Sequence, residues 1–196
     1  MKKLLLMYLL GFGFVAATAQ ESDKKWQFAV GGSTLLPMGK FSDYYNTGYG
    51  GELEASYRFN EKFSWYVKTG YNTFSGKKNT YTVLFNGIPF NFDYTSPKIS
   101  YIPLLGGPQY TVGNFSVGVA AGVGFYNFKN EGNTYNVISD TSGVSFTYSP
   151  EVAYTVGKFK IAASYTASAL KLDEQYSTYV DLKNATFIGL KLFFKF

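Results

Sequence analysis

The chain has 196 residues, of which 46% are hydrophobic, 20% aromatic and 16% charged, so the sequence predicts one folded domain and excludes a disordered chain. It has no cysteine and no histidine, which excludes disulfide frameworks, thiolate or imidazole metal sites and Ser-His-Asp hydrolases. The formal charge is +5, and because two of those charges lie in a segment predicted to be removed, the mature chain carries +3, an excess too small to predict a nucleic-acid partner.

The N-terminus has the three parts of a secretory signal. Two lysines precede an apolar run over 4–15, and Ala17-Thr18-Ala19 is a small-x-small cleavage motif. The alternative, a membrane-spanning anchor, needs roughly 20 apolar residues, and this run is shorter. We therefore predict a signal peptide over 1–19, with Ala17 and Ala19 at the cleavage site, and a mature domain over 20–196.

The mature chain alternates between apolar residues and small or polar residues with a period of two, which predicts β-strands. Three similar polar turns, at 60–62, 112–114 and 156–158, each precede a phenylalanine that opens a strand. One face of each strand is apolar, with aromatic residues near its ends, and the other face is mostly small and polar. In chain order, the strands are predicted at 26–30, 53–59, 63–71, 99–110, 115–125, 146–154, 159–167 and 188–196.

Short turns at one end and long polar connections at the other, near 35–48, 74–98, 128–143 and 171–185, describe an eight-stranded antiparallel transmembrane up-and-down β-barrel. A soluble barrel or sandwich also alternates, but its second face would be strongly charged. Here Gly, Ala, Ser and Thr dominate that face, as suits the interior of a narrow barrel.

A barrel of ten strands is a further alternative, because Asn86-Gly87 is a strong hairpin signal. The two arms of this hairpin, 80–86 and 88–94, are shorter than the 9 to 11 residues that a tilted membrane strand needs. We therefore predict a hairpin that stands above the membrane within the second long connection.

Five motifs carry a family resemblance: Leu36-Pro37-Met38-Gly39-Lys40-Phe41-Ser42, Gly48-Tyr49-Gly50-Gly51, Ile102-Pro103-Leu104, Ser149-Pro150-Glu151-Val152 with Tyr154, and the final Phe196. With them the chain resembles, over nearly all of 20–196, the small outer-membrane β-barrel proteins widespread in the Bacteroidota, broadly the OmpX-like and OmpA-like class. The resemblance implies folding by the outer-membrane assembly machinery, with Phe196 as the assembly signal. It implies no particular activity, because such barrels share none.

If the apolar faces point to lipid, the opposite faces place eight charged side chains inside the barrel: Glu52, Glu54, Arg58, Lys68, Glu151, Lys160, Lys191 and Lys195. We expect them to form a structural network, because eight strands enclose too little space for a water channel; a proton or ion path is the alternative. Glu52 and Glu54 would need an open cleft to act as acid and base, and none is predicted. We therefore expect no catalytic residue, metal site or cofactor.

Aromatic residues are frequent in the long connections: Tyr44, Tyr45, Tyr81, Phe85, Phe90, Phe92, Tyr94, Tyr135, Tyr176 and Tyr179. They suit binding to a glycan, a protein or a lipopolysaccharide surface, or else packing within the loops and the interfacial girdle.

The sequence thus predicts a monomeric, non-enzymatic barrel in the bacterial outer membrane with a structural or surface-interaction role carried by its loops. Its expected partners are outer-membrane lipids, the assembly machinery and a surface glycan or protein. The first alternative is a porin-like conduit for small or apolar solutes. The second is a barrel enzyme acting on lipid, which the lack of histidine disfavours.

Overall fold

The computed structural model describes residues 25–85, 88–129, 141–170 and 184–196. The predicted signal peptide, with Ala17 and Ala19, lies outside these ranges. In chain order the elements are β1 (Trp26–Pro37), α1 (Lys40–Tyr44), β2 (Gly48–Arg58), β3 (Phe63–Phe74), β4 (Lys78–Phe85), β5 (Ile88–Thr95), β6 (Lys98–Val112), β7 (Phe115–Lys129), β8 (Thr141–Val156), β9 (Phe159–Ala169) and β10 (Asn184–Lys195). No helix in the described ranges is long and apolar enough to cross a membrane.

Eight of the strands form a closed antiparallel barrel in the order β1-β2-β3-β6-β7-β8-β9-β10. β1 closes the sheet against β10 through nine residue pairs, from Ala29 opposite Lys195 to Pro37 opposite Phe187. Every barrel strand therefore has a hydrogen-bonded neighbour on both sides, which lipid-exposed strands require because the hydrocarbon offers no water. The predicted eight-stranded up-and-down barrel is confirmed.

The outer surface of the barrel is apolar. Leu53, Val117 and Ile161 are each more than half exposed, and they belong to a belt of large apolar side chains that surrounds the whole sheet. The soluble alternative is wrong, because a soluble barrel would bury this face. Aromatic residues cluster toward both ends of the strands, as in an interfacial girdle. Those at the short-turn end include Trp26, Phe63, Trp65, Phe115, Tyr154, Phe159 and Phe194.

Glycine and asparagine residues stabilise the short turns between the strands. Gly113 and Gly157 have φ angles of 57° and 56°, a left-handed conformation that a residue without a Cβ adopts at little cost. At the first turn, the Asn60 side-chain oxygen accepts hydrogen bonds from the backbone N–H groups of Lys62 and Phe63, at 2.9 and 2.8 Å. Each turn thus reverses the chain with few residues, which leaves the long connections at the opposite end of the barrel.

β4 and β5 form a separate two-stranded sheet, with eight residue pairs from Lys78–Thr95 to Phe85–Ile88. The ten-stranded alternative is therefore wrong, and the hairpin that the sequence predicted stands within the second long connection. β6, β7 and β8 have 15, 15 and 16 residues, more than the sequence predicted. Most of the extra residues of β7 and β8 lie at the loop end, where the sheet continues past the 9 to 11 residues that are needed to span the bilayer.

A charge placed on the lipid face tests the outward orientation. We expect Val119→Arg, five residues into β7 and so near the middle of the apolar band, to lower the free energy of unfolding by about 2–4 kcal/mol. Val156→Arg, beside the Gly157 turn, is the matched control and should change it by less than about 1 kcal/mol. Urea titration of the barrel in phospholipid vesicles measures both values, and equal effects would contradict the assigned lipid face.

Candidate functional site

A layer of six buried charges occupies the lumen. The side chains are Glu52 and Glu54 from β2, Lys68 from β3, Glu151 from β8, Lys160 from β9 and Lys191 from β10, each no more than 8% exposed. Since successive residues of a strand face opposite sides of the sheet, the spacing of two between Glu52 and Glu54 directs both into the barrel. The layer contains three acids and three bases and has no net formal charge.

Glu151 is the centre of this layer because it faces all three lysines. Its carboxylate oxygens lie 3.2 Å from Lys68 Nζ, 2.9 Å from Lys160 Nζ and 3.7 Å from Lys191 Nζ. The other two carboxylates each take one lysine: Glu54 pairs with Lys160 and Glu52 pairs with Lys191, both at 2.7 Å. Buried charges are tolerated when they are paired in this way, and an unpaired one would be costly.

Neighbouring lumen side chains complete the environment of the cations. Lys68 Nζ donates to the Ser149 hydroxyl at 3.1 Å. Lys160 Nζ lies 5.2 Å from the centre of the Phe193 ring and 5.8 Å from that of Tyr66, distances at which an aromatic face attracts a cation. Lys68 Nζ also lies 5.8 Å from the centre of the Tyr66 ring. The alternation of β3 predicts that Tyr66 points inward, but nothing in the sequence indicates that its ring contacts both lysines.

An aromatic plug closes the lumen at the loop end. Phe41, on α1, is 1% exposed, and its ring centre lies 5.2 Å from that of Phe74 and 6.4 Å from that of Phe187. Leu35, Tyr45, Ile99, Tyr101, Tyr126, Phe128, Leu170 and Ala185 belong to the same buried cluster. The first long connection therefore folds back into the barrel mouth instead of projecting from it.

The segment that carries Phe41 is held at both sides. Met38 N–H donates to the Thr186 carbonyl at 2.8 Å, and the Thr186 hydroxyl donates back to the Met38 carbonyl at 2.9 Å. On the opposite side, Lys77 Nζ donates to the Ser42 carbonyl at 2.6 Å. These bonds tie the plug to β10 and to the chain that follows β3.

Little empty space remains between the plug and the charge layer. A cavity lies there, with a volume of about 10 Å³. That is about the space of one water. Its lining includes Glu52, Lys68, Asn72, Tyr101, Ser149 and Lys191. The described side chains therefore fill this part of the lumen.

Two predicted members of the network lie elsewhere. Arg58 is exposed and Lys195 is half-buried, and both sit at the short-turn mouth of the barrel, at the ends of β2 and β10. Neither forms an ion pair with any of the described acidic side chains. The spacing of two assigned them correctly to the lumen side, but it does not show that the strands end at these residues.

The aromatic residues that the sequence analysis placed in the long connections lie in different environments. Tyr45 is 2% exposed within the plug and Tyr44 is half-buried against it, so neither is a free binding surface. Tyr81, Phe85, Phe90, Phe92 and Tyr94 belong to the β4–β5 hairpin. Tyr135, Tyr176 and Tyr179 lie outside the described residues. The predicted assembly signal, Phe196, is exposed, and its N–H donates to the Phe28 carbonyl at 2.9 Å.

The β4–β5 hairpin presents polar pairs along its strands and apolar residues at its tip. Lys78 Nζ lies 2.7 Å from an Asp93 carboxylate oxygen, and the Thr80 hydroxyl donates to Asp93 at 2.8 Å. Hydrogen bonding to Lys78 and then to Thr80 lowers the pKa of Asp93 below its ordinary value. Leu84 and Ile88, near the tip, are 71% and 61% exposed.

The arrangement offers little for catalysis. Glu52 and Glu54 each bind a lysine inside a closed lumen, so they do not face a substrate cleft. Within the part of the chain that the structure describes, no group of three or more Asp or Glu residues is placed to hold a metal ion. The charges balance one another and stabilise the interior of the barrel.

Comparison with known proteins agrees with this architecture. Residues 7–196 match the family model described as "Outer membrane protein beta-barrel domain". Among solved structures, Ail, the attachment invasion locus protein of Yersinia pestis, in complex with the heparin analogue sucrose octasulfate, aligns with a TM-score of 0.50 and 15% identity, covering 87% of this chain and 96% of that one. The N-terminal β-barrel domain of Pseudomonas aeruginosa OprF aligns with a TM-score of 0.48 and 13% identity, covering 87% and 97%.

No curated protein matches the chain. At 15% identity, the structure of Ail indicates the fold alone. The resemblance to proteins of the Bacteroidota stays a prediction.

Removal of the central carboxylate tests the charge layer. In Glu151→Gln, Lys160 keeps Glu54 and Lys191 keeps Glu52, but Lys68 loses its carboxylate partner. We expect the free energy of unfolding in vesicles to fall by about 3–5 kcal/mol, because a buried cation is left uncompensated.

The double variant Glu151→Gln, Lys68→Met restores a neutral layer and should recover a large part of that loss. Lys68→Met alone is the control, since Glu151 keeps two lysines, and it should cost less than Glu151→Gln. A Glu151→Gln barrel as stable as the unmodified one would show that the layer contributes nothing.

Proposed function

Since the chain belongs to the outer membrane protein β-barrel domain family, we propose that it is a non-enzymatic surface protein of the bacterial outer membrane, whose closed barrel holds ligand-binding loops outside the cell. The single observation that carries this proposal is the filled lumen. Because the lumen is filled, the loop end is the part of the molecule that we expect to bind a partner. Short turns face the periplasm and longer loops face the exterior in barrels of this kind.

The β4–β5 hairpin is the best candidate for the interacting element. It pairs with no other strand in the described sheets, so each of its strands has an edge of unpaired backbone groups. Two large apolar side chains at its tip, Leu84 and Ile88, are exposed to solvent beyond the barrel. Exposed apolar groups next to unpaired strand edges suit contact with a protein or a glycan surface.

A porin-like conduit is the alternative, and the geometry of the lumen counts against it. The aromatic plug around Phe41, the paired charge layer and a cavity of about 10 Å³ follow one another along the axis. A solute would have to displace the plug and then separate buried ion pairs. A lipid-modifying enzyme has still less support, because each carboxylate in the layer is engaged by lysine.

Three further expectations belong to this proposal: export through the 1–19 signal, recognition of the strand ending in Phe196 by the assembly machinery, and a monomeric state. The exposed ring of Phe196 and its backbone bond to Phe28 place the end of the chain in the closing seam of the barrel. The closed sheet leaves no strand edge within the barrel through which a second copy would pair.

Replacement of the hairpin tests the proposed role. The Ser96 N–H donates to the Lys77 carbonyl at 3.0 Å, so the bases of the hairpin already meet and an Asn-Gly turn can join them without 78–95. We expect the barrel to fold and its binding to immobilised polysaccharides or extracellular proteins to weaken at least about tenfold, a loss of roughly 1.4 kcal/mol. Biolayer interferometry on protein in nanodiscs measures this binding.

Two further variants of the chain serve as a narrower test and as a control. Leu84→Ser with Ile88→Ser keeps the hairpin and removes only its exposed apolar groups, and we expect it to weaken binding in the same direction. Asn114→Asp, in a turn at the other end of the barrel, should bind like the unmodified protein. A barrel that keeps all its binding without the hairpin would overturn the assignment.

A further inference from the structure

The ladder of hydrogen bonds between β8 and β9 is interrupted in the middle of the barrel wall. On β8, residues 147–148 and 151–156 pair with β9, but Ser149 and Pro150 between them do not. The register is the same on both sides of this interruption and places Pro150 opposite Tyr165. Because proline has no N–H, Pro150 cannot donate a hydrogen bond to the Tyr165 carbonyl. We call this interruption the Pro150 break.

The Pro150 break lies deep in the membrane. On its other side, Pro150 pairs with Val119 of β7, near the middle of the apolar band, and it is exposed on the outer face of the wall. At the surface of a soluble protein, water would bind the free carbonyl, but no water is available in hydrocarbon. The Tyr165 carbonyl therefore loses its ladder donor at a depth where the loss is costly.

Hydroxyl groups on the lumen side hold the two strands together at the break. Ser149 and Thr166 face each other there, and their hydroxyls hydrogen-bond at 3.0 Å. The hydroxyls of Thr147 and Ser168 form a second pair directly beside the first. Lys68 Nζ donates to the Ser149 hydroxyl at 3.1 Å, so the charge layer helps to fix this side chain. Side-chain bonds thus replace the backbone bond that proline removes.

Two other prolines interrupt the wall, and neither break has a pair of hydroxyls on its lumen side. Pro103 interrupts the ladder between β3 and β6, and Pro108 interrupts that between β6 and β7. Beside Pro108 the strands are in close contact, since a Cβ at Gly107 would collide with the Val119 carbonyl oxygen. On the loop side of the break, nine residue pairs remain beyond Pro108 and three beyond Pro103, but two beyond Pro150.

We propose that the loop-side half of the β8–β9 seam is a point of local opening in the barrel wall, which the hydroxyl pairs beside Pro150 hold closed. Parting the strands there breaks two residue pairs and two hydroxyl pairs, while β9 keeps its continuous ladder with β10. Segments held by few bonds open most readily in a folded protein.

The opening has a consequence for the lumen. Ser149 and Thr166 also line the small cavity between the plug and the charge layer. Parting of the seam would therefore connect this cavity with the half of the bilayer that lies toward the loop end. The inference rests on the membrane orientation proposed above, and it is independent of what the loops bind.

Amide hydrogen exchange, followed by NMR on the refolded chain over 20–196 in phospholipid nanodiscs, tests the proposal. Alternate residues of an antiparallel strand direct their N–H groups to opposite neighbours. Because the break shows that Pro150 faces β9, Tyr148 and its partner Ala167 bond across the weak seam, and we call them the seam amides. Thr147 and Ser149 bond to β7 at the same depth and are the control amides. We expect the seam amides to exchange at least about tenfold faster than the control amides.

Restoring the missing N–H should close the seam. Pro150→Ala can donate to the Tyr165 carbonyl, and we expect the seam amides of this variant to exchange within about threefold of the control amides. The control amides, which bond to β7, should keep their rates.

Removing the hydroxyls should have the opposite effect. In Ser149→Ala, Thr166→Val, we expect the seam amides to exchange at least about threefold faster than in the unmodified barrel. Ser145→Ala is the matched control, because the Ser145 hydroxyl donates to the Gly124 carbonyl of β7, at 3.5 Å, and not to β9. This variant should leave the seam amides unchanged.

Seam amides that exchange as slowly as the control amides would overturn the proposal, and so would seam amides that stay fast in Pro150→Ala. Equal acceleration of both sets in Ser149→Ala, Thr166→Val would show a loss of stability of the whole barrel and would contradict the role of the hydroxyls. The shift of the gel band on boiling reports folding of each variant separately. Failure of the loop-binding role would leave these exchange rates unchanged, so the two proposals fail independently.

Discussion

The absence of water in the hydrocarbon core of a membrane is the constraint on which the rest of this structure depends. A β-sheet there must close, since each unpaired N–H or C=O group would cost several kcal/mol. In this chain, β1 and β10 close the sheet through nine residue pairs. Closure with eight strands then fixes a narrow lumen that side chains must fill. The paired charges and the aromatic plug are two ways of filling it.

The two ends of the barrel differ because the lumen between them is filled by side chains. Phe41 and the cluster around it occupy the loop-side mouth, so the first connection serves the barrel rather than the exterior. The β4–β5 hairpin pairs with no barrel strand in the described sheets, which is why we propose it as the element that contacts a partner. At the opposite end, Arg58 and Lys158 lie beside or within tight turns, and Lys25 and Lys195 lie at the outer ends of β1 and β10. The closed barrel thus separates two ends that present different side chains to their surroundings.

The alternation of apolar and small residues was sufficient to predict the barrel, because a strand with one face in lipid and one in a narrow lumen must alternate. The same spacing placed Glu52, Glu54 and Lys191 on the inner face. It did not predict that Lys160 meets Glu54, 106 residues away, because such pairs depend on the stagger of the strands around the barrel. The role of Phe41 was also missed: its short helix looks like an ordinary polar turn, and only the closed barrel gives its ring a cavity to occupy.

Conductance in planar bilayers tests the central claim, a lumen closed by its own side chains, most directly. The protein would be the refolded chain over 20–196, with folding confirmed by the shift of its gel band on boiling. The structure predicts a folded barrel that passes no steady current, because the plug and the charge layer leave room for about one water. Reproducible current steps whose ion selectivity changes in Lys68→Glu or Lys191→Glu would contradict the account and make the lumen a conduit.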